Sequence, residues 1–93
     1  MAKIFVVNQE NKANVKVFAV DQEYKADLIY FEVAQEYKAK GDALWFYVKQ
    51  ENQATCKIFW VQQEYKADVK VLKTNQEYKA KWNKSNKFQN RIG

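Results

Sequence analysis

One short phrase is written again and again along this chain. It reads Gln9-Glu10-Asn11-Lys12-Ala13, then Gln22-Glu23-Tyr24-Lys25-Ala26, and then runs from Gln35 to Ala39. It returns as Gln50-Glu51-Asn52-Gln53-Ala54, from Gln63 to Ala67, and from Gln76 to Ala80, with a worn copy opening at Gln89-Asn90. The leading glutamines are spaced 13, 13, 15, 13, 13 and 13 residues apart, and the insertion Gly41-Asp42 absorbs the one long step. A period this regular makes the repeat, rather than the residue, the unit of folding. It divides residues 1–93 into one repeat-built domain, with copies near 3–14, 15–27, 28–42, 43–55, 56–68, 69–81 and 82–93.

The links between phrases are apolar and β-forming, as in Val15-Lys16-Val17-Phe18-Ala19-Val20 and Cys56-Lys57-Ile58-Phe59-Trp60-Val61. β-branched and aromatic residues suit a pleated, half-buried surface. The alternation can be followed through the polar phrase, giving one face of Phe18, Val20, Gln22, Tyr24, Ala26, Leu28 and Tyr30 and a charged opposite face. An odd period against a strand period of two forces the inward face to slip once per copy. The doublets Val17-Phe18, Tyr30-Phe31, Trp45-Phe46, Ile58-Phe59 and Val71-Leu72 predict a bulge or sharp bend at those points.

Turn residues are scarce. There is no Pro, and the two glycines are Gly41 and Gly93. Tight hairpins want Asn-Gly, Asp-Gly or Gly-X, so a chain that winds continuously round repeated corners fits better than a set of hairpins. Closing the ring would also remove exposed strand edges. The expected fold is therefore all-β, a single compact toroid or closed barrel of seven repeats. With its Gln-Glu-Tyr-Lys-Ala phrases at 13-residue spacing and a bulky doublet between them, the chain resembles the small bacterial septoil-knot family. The resemblance implies a β chain wound twice round a toroid along a seven-crossing torus knot. It implies topology only, with no activity to carry over.

A chain of this length buries roughly 60–65% of the surface its unfolded form exposes, enough for one core. Cys56 is alone, so no internal disulfide can form, and a reducing, cytoplasmic setting is expected. The first seven residues hold too short an apolar run for a signal peptide, and no stretch approaches a membrane span. Residues 1–80 carry a net charge of +1, whereas residues 81–93 carry +4 with no acid.

Chemistry is thinly represented. Without His the commonest general base and metal ligand are missing. One Cys cannot build a thiolate zinc site, and two glycines cannot build the phosphate-binding loops. No catalytic, cofactor or metal residue is assigned, and the chain is expected not to be an enzyme. Cys56 shares a column with Val15, Leu28, Ala43 and Val69, which makes it a buried, inert thiol. The Glu and Lys columns of the phrase suggest a solvated lattice of Lys–Glu pairs. The Gln column suggests a buried ladder of amides bonded to backbone. The Tyr column suggests rings packed inward, with a stacking platform for bases as the alternative. Leu44, Tyr47 and Trp60 either form an apolar interface patch or cover an outer layer of the winding chain.

The segment 81–91 alone mixes basic and aromatic residues. In one reading Trp82 and Phe88 close the last turn and the lysines keep the tip soluble. In the other, Lys81, Trp82, Lys84, Lys87 and Arg91 contact single-stranded nucleic acid weakly. The expectation for the whole is a monomeric structural or interaction protein whose closed fold resists unfolding, with weak nucleic-acid binding as the alternative.

Overall fold

The phrase Gln-Glu-Tyr-Lys-Ala is a corner, not a strand. In the computed structural model, which describes residues 2–93, each of the six full copies folds into a single 3₁₀ turn: η1 Glu10–Lys12, η2 Glu23–Lys25, η3 Glu36–Lys38, η4 Glu51–Gln53, η5 Glu64–Lys66 and η6 Glu77–Lys79. The leading Gln is extended, and its carbonyl accepts from the N–H of the fourth residue at 3.0–3.1 Å. The Ala N–H then donates to the Glu carbonyl at 3.0–3.2 Å, and the Ala itself returns to extended backbone. These bonds need no positive φ, which is why the corners form without Gly or Pro.

Between the corners lie seven strands: β1 Ala2–Val6, β2 Val15–Ala19, β3 Leu28–Glu32, β4 Leu44–Tyr47, β5 Cys56–Trp60, β6 Val69–Lys73 and the two-residue β7 Lys81–Trp82. The first six pair in parallel in the order β4-β1-β5-β2-β6-β3, and a β3–β4 pairing closes the ring. Each strand gives its first half to one neighbour and its second half to the other. In β2, Val15 to Val17 match Ile58 to Trp60 of β5, and Val17 to Ala19 match Val69 to Val71 of β6. β7 runs antiparallel against Leu28 and Ile29, on the edge of β3 that β4 takes up further along. With β7 in its place, every connection skips one strand, so the chain goes round the ring twice. The result is a disc of 32 × 31 × 20 Å.

The strands are regular, and no bulge interrupts them at the doublets. The first doublet residue points inward and the second sits half-buried on the outer face, as Val17 (fully buried) and Phe18 do. The odd period is absorbed in the 3₁₀ corner instead. The core is two stacked layers, one of Ala2, Val15, Leu28, Cys56 and Val69, the other of Ile4, Val17, Tyr30, Trp45, Ile58 and Val71, with Ile92 from the C-terminal segment. The Tyr30 and Trp45 rings stack at 4.0 Å, a favourable aromatic geometry.

Three sequence-based expectations are corrected by this layout. Tyr24, Tyr37, Tyr65 and Tyr78 do not pack inward but stand 67–81% exposed on the corners. The Gln column is exposed too, and its side chains make no capping bond. Three of the ion pairs run from a corner Glu to the lysine of the following strand (Glu10–Lys16 at 3.8 Å, Glu51–Lys57 and Glu64–Lys70 at 3.1 Å), Glu36 pairs with Lys3 of β1 and Glu32 with Lys73, and none among the described residues goes to a corner lysine. Leu44, Tyr47 and Trp60 are half-buried, and Tyr47 and Trp60 pack against the core.

Candidate functional site at the two ends of the ring

The strand starts are stitched by a column of short polar residues that the reading of the sequence passed over. Asn14, Asp27, Thr55 and Asp68 each precede a strand and make a reciprocal pair of bonds with a neighbour. The Asp68 N–H donates to the Lys16 carbonyl at 2.7 Å, and the Asp68 carboxylate accepts from the Lys16 N–H at 3.0 Å. Asp27 does the same with Lys70, Asn14 with Lys57, and Thr55 with Lys3. The signal in the sequence was a short side chain with an acceptor oxygen just before each apolar link, the type of group that satisfies local backbone donors.

The fourth copy breaks this pattern by the two-residue insertion, and there Asp42 takes a different part. Gly41 sits at φ +65, a conformation that favours glycine. It turns Asp42 inward, where that residue is 8% exposed. The Asp42 carboxylate accepts from Trp82 Nε1 at 2.8 Å, from the N–H of Ile92 at 3.1 Å, from that of Gly93 at 2.8 Å, and from that of Asn90. The C-terminal segment is thereby drawn across the strand starts. The Asn83 amide bonds the Glu23 and Ala26 carbonyls, Asn86 bonds the Asp68 carbonyl, and Thr55 Oγ1 donates to the Ile92 carbonyl. Ile92 is wholly buried, and Trp82 and Phe88 lean on the core.

Of the residues proposed to meet nucleic acid, Trp82 is therefore half-buried and tied to Asp42, while Lys81, Lys84, Lys87 and Arg91 are exposed. Cys56, in the layer next to this plug, is 1% exposed; burial, then the Asp42 charge, push its thiol up to about 11. A thiol so held is no nucleophile at neutral pH.

The opposite end breaks the repeat in another way. The last strand position is Val6, Ala19, Glu32, Tyr47, Trp60 and Lys73 in chain order. In ring order Lys73, Glu32 and Tyr47 are neighbours, and Lys73 Nζ lies 3.1 Å from Glu32. The Tyr47 phenol is pushed well up, first by burial, then by Tyr30 and by its hydrogen bond to Glu32. Tyr30 is raised as well, first by burial, then by the Glu32 charge. Both phenols stay neutral and act as hydrogen-bonding fillers of the mouth. Among the described residues, no group of His, Cys, Asp and Glu is clustered tightly enough to hold a metal ion. No helix among them is long and apolar enough to cross a membrane.

No curated protein and no solved structure matches the chain. The model of the 7(1) septoil knot domain matches residues 1–83, which takes in all six corners and all seven strands and stops one residue past β7. By that match, and by a parallel ring in which each connection skips a strand, the chain belongs to the septoil knot domain family.

Proposed function

We propose that this chain is a non-enzymatic structural or interaction protein whose chief property is slow unfolding. The observation that carries the reading is the doubly wound ring together with its latched end. Each of the six parallel strands lies between strands of the other lap, and the last residues are tied to Asp42, some fifty positions earlier in the chain. In the knotted path, a terminus must be drawn back through the ring before the chain can open fully. Such a barrier sets a rate rather than an equilibrium, and that rate governs lifetime against proteases and denaturants. The neutral phenols, the inert thiol and the absence of His fit a non-catalytic part.

The test is a jump into guanidinium followed by Trp fluorescence. The reading expects unfolding over hours or longer, at the slow end of the range of roughly 10¹ to 10⁻⁶ per second of small domains. Unfolding within seconds in mild urea would refute it.

A further inference from the structure

The topology sorts the variable residue of the corner around the rim. Each corner passes outside the strand that its connection skips, so the corners follow one another as η1, η5, η2, η6, η3 and η4. The surface clefts between them keep that order: Lys66 shares one with Glu10, Lys25 with Glu64, Lys79 with Glu23, and Lys38 with Glu77. Read round the rim, the middle residues of the corners are Asn11, Tyr65, Tyr24, Tyr78, Tyr37 and Asn52. Four tyrosines scattered in the sequence thus form one unbroken arc, and the two asparagines fill the remaining arc.

These rings do nothing for the core. They are 81, 69, 79 and 67% exposed in arc order. Among the described residues, no carboxylate comes within ion-pair distance of the lysine next to each (Lys66, Lys25, Lys79 and Lys38). Two of the acids on the arc are already neutralised, Glu64 by Lys70 and Glu36 by Lys3. The acid-free C-terminal segment leaves β7 and passes beneath the same arc, bonded to the η2 corner by Asn83 and to the carbonyl just past η5 by Asn86. Its exposed Lys81, Lys84 and Lys87 therefore accompany the tyrosines.

We propose that the arc of Tyr65, Tyr24, Tyr78 and Tyr37 is a binding surface for single-stranded nucleic acid. A linear polyanion built of planar units is the partner that uses both features. Its bases stack on exposed aromatic faces without regard to sequence. Its phosphates exchange counterions for the free lysines and for the basic segment below. Clefts of 200 to 500 Å³ separate neighbouring corners, each lined by a corner lysine and a corner glutamate, and Tyr37 is the arc ring that lines one of them. This surface does not depend on the rate at which the ring unfolds.

The probe is a fluorescein-labelled oligouridine of about 16 nucleotides, the upper site size of one small binding domain, titrated by anisotropy at low and moderate salt. Tyr24→Ala with Tyr78→Ala, at the centre of the arc, raises Kd by about tenfold or more, the loss of at least one stacked base. Tyr24→Phe with Tyr78→Phe keeps binding, since the ring is retained. Asn11→Ala with Asn52→Ala, on the other arc, changes Kd by less than about twofold. Lys84→Gln with Lys87→Gln flattens the salt dependence. Because the tyrosines are exposed, the circular dichroism and denaturation midpoints of these variants stay at those of the parent. Equal binding by the parent and the Tyr→Ala pair overturns the proposal in favour of charge alone. Binding no tighter than to an unrelated protein of equal charge overturns it too, as does a Tyr-dependent dimer of this chain with no affinity for the oligonucleotide.

Discussion

Removing the Asp42 carboxylate tests whether the C-terminal segment is fastened as described. In Asp42→Ala, four donors lose their acceptor. The N–H groups of Asn90 and Gly93 lie on exposed residues and can turn to water. That of Ile92, a residue with no exposure, and the half-buried Trp82 Nε1 cannot do so without leaving their places. Each orphaned donor costs about 1–3 kcal/mol. If the segment lifts instead, the burial of the Ile92 side chain is lost, about 1.5–3 kcal/mol, along with the bond from Thr55. Either route leads to a loss of about 2–5 kcal/mol, a large share of the roughly 5–15 kcal/mol that holds a domain together. Asp42→Asn, which keeps one acceptor oxygen but adds donors, falls between parent and Ala. Guanidinium midpoints measure the loss. Labelling of Cys56 by a thiol reagent reports the lifting, because Cys56 is sealed in the parent and adjoins the Thr55 that holds Ile92. A midpoint shift worth less than about 1 kcal/mol, with Cys56 still protected, would refute the fastening, since a rehydrated or redundant contact costs no more than that.

Three more outcomes follow from the geometry. Asp68→Ala removes one of the two bonds that tie it to Lys16 and should cost about 1–2 kcal/mol, against near zero for Lys70→Gln, whose ion pair with Glu64 is half exposed; a thermal scan of both separates them. Trp45→Ala empties the largest fully buried site and breaks the stack on Tyr30, for a loss of about 3–5 kcal/mol in denaturant titration, whereas Trp45→Phe costs markedly less. The Cys56 thiol, normally near 9.0, is held to about 11 in the fold, so only the unfolded chain ionises between those values. Its contribution is therefore intact below pH 9.0 and fades as pH rises towards 11, by about 2–3 kcal/mol. The parent should lose that much more than Cys56→Val over this range, and parallel slopes would argue against it.

Much of the fold was legible because the repeat states it plainly. The period, the β-forming links and the scarcity of turn residues point to a chain that winds and closes. The corner was not legible as a corner. Gln22 to Ala26 contains no Gly or Pro, and its alternation continues that of the strand before it. A 3₁₀ turn asks only for bonds three residues apart, so nothing local forbids either conformation. With that one choice mistaken, Tyr24 moved to the wrong face and the slip was placed at Val17-Phe18. The Asp42 latch was hidden for another reason. A polar residue after Gly41 looks like a loop tip until Trp82 and Ile92 come back to it, and contacts at that separation leave no pattern in sequence. The tyrosine column itself was visible, with stacking among its possible uses. That its members become neighbours depends on the order in which strands interleave, which only the topology supplies.

The skipping of one strand at every step also bears on how such a chain could have grown. A walker who takes every second place on a circle visits all places only when their number is odd. With an even number, the second lap lands on sites already taken. The short reversed β7 fills the odd place here, beside the Gly41-Asp42 insertion that lets β4 reach past it. Gain or loss of a single repeat would therefore leave two copies competing for one place. Lineages built on this plan should lengthen or shorten by repeats two at a time, and a designed ring of this kind should be drawn with an odd count from the outset.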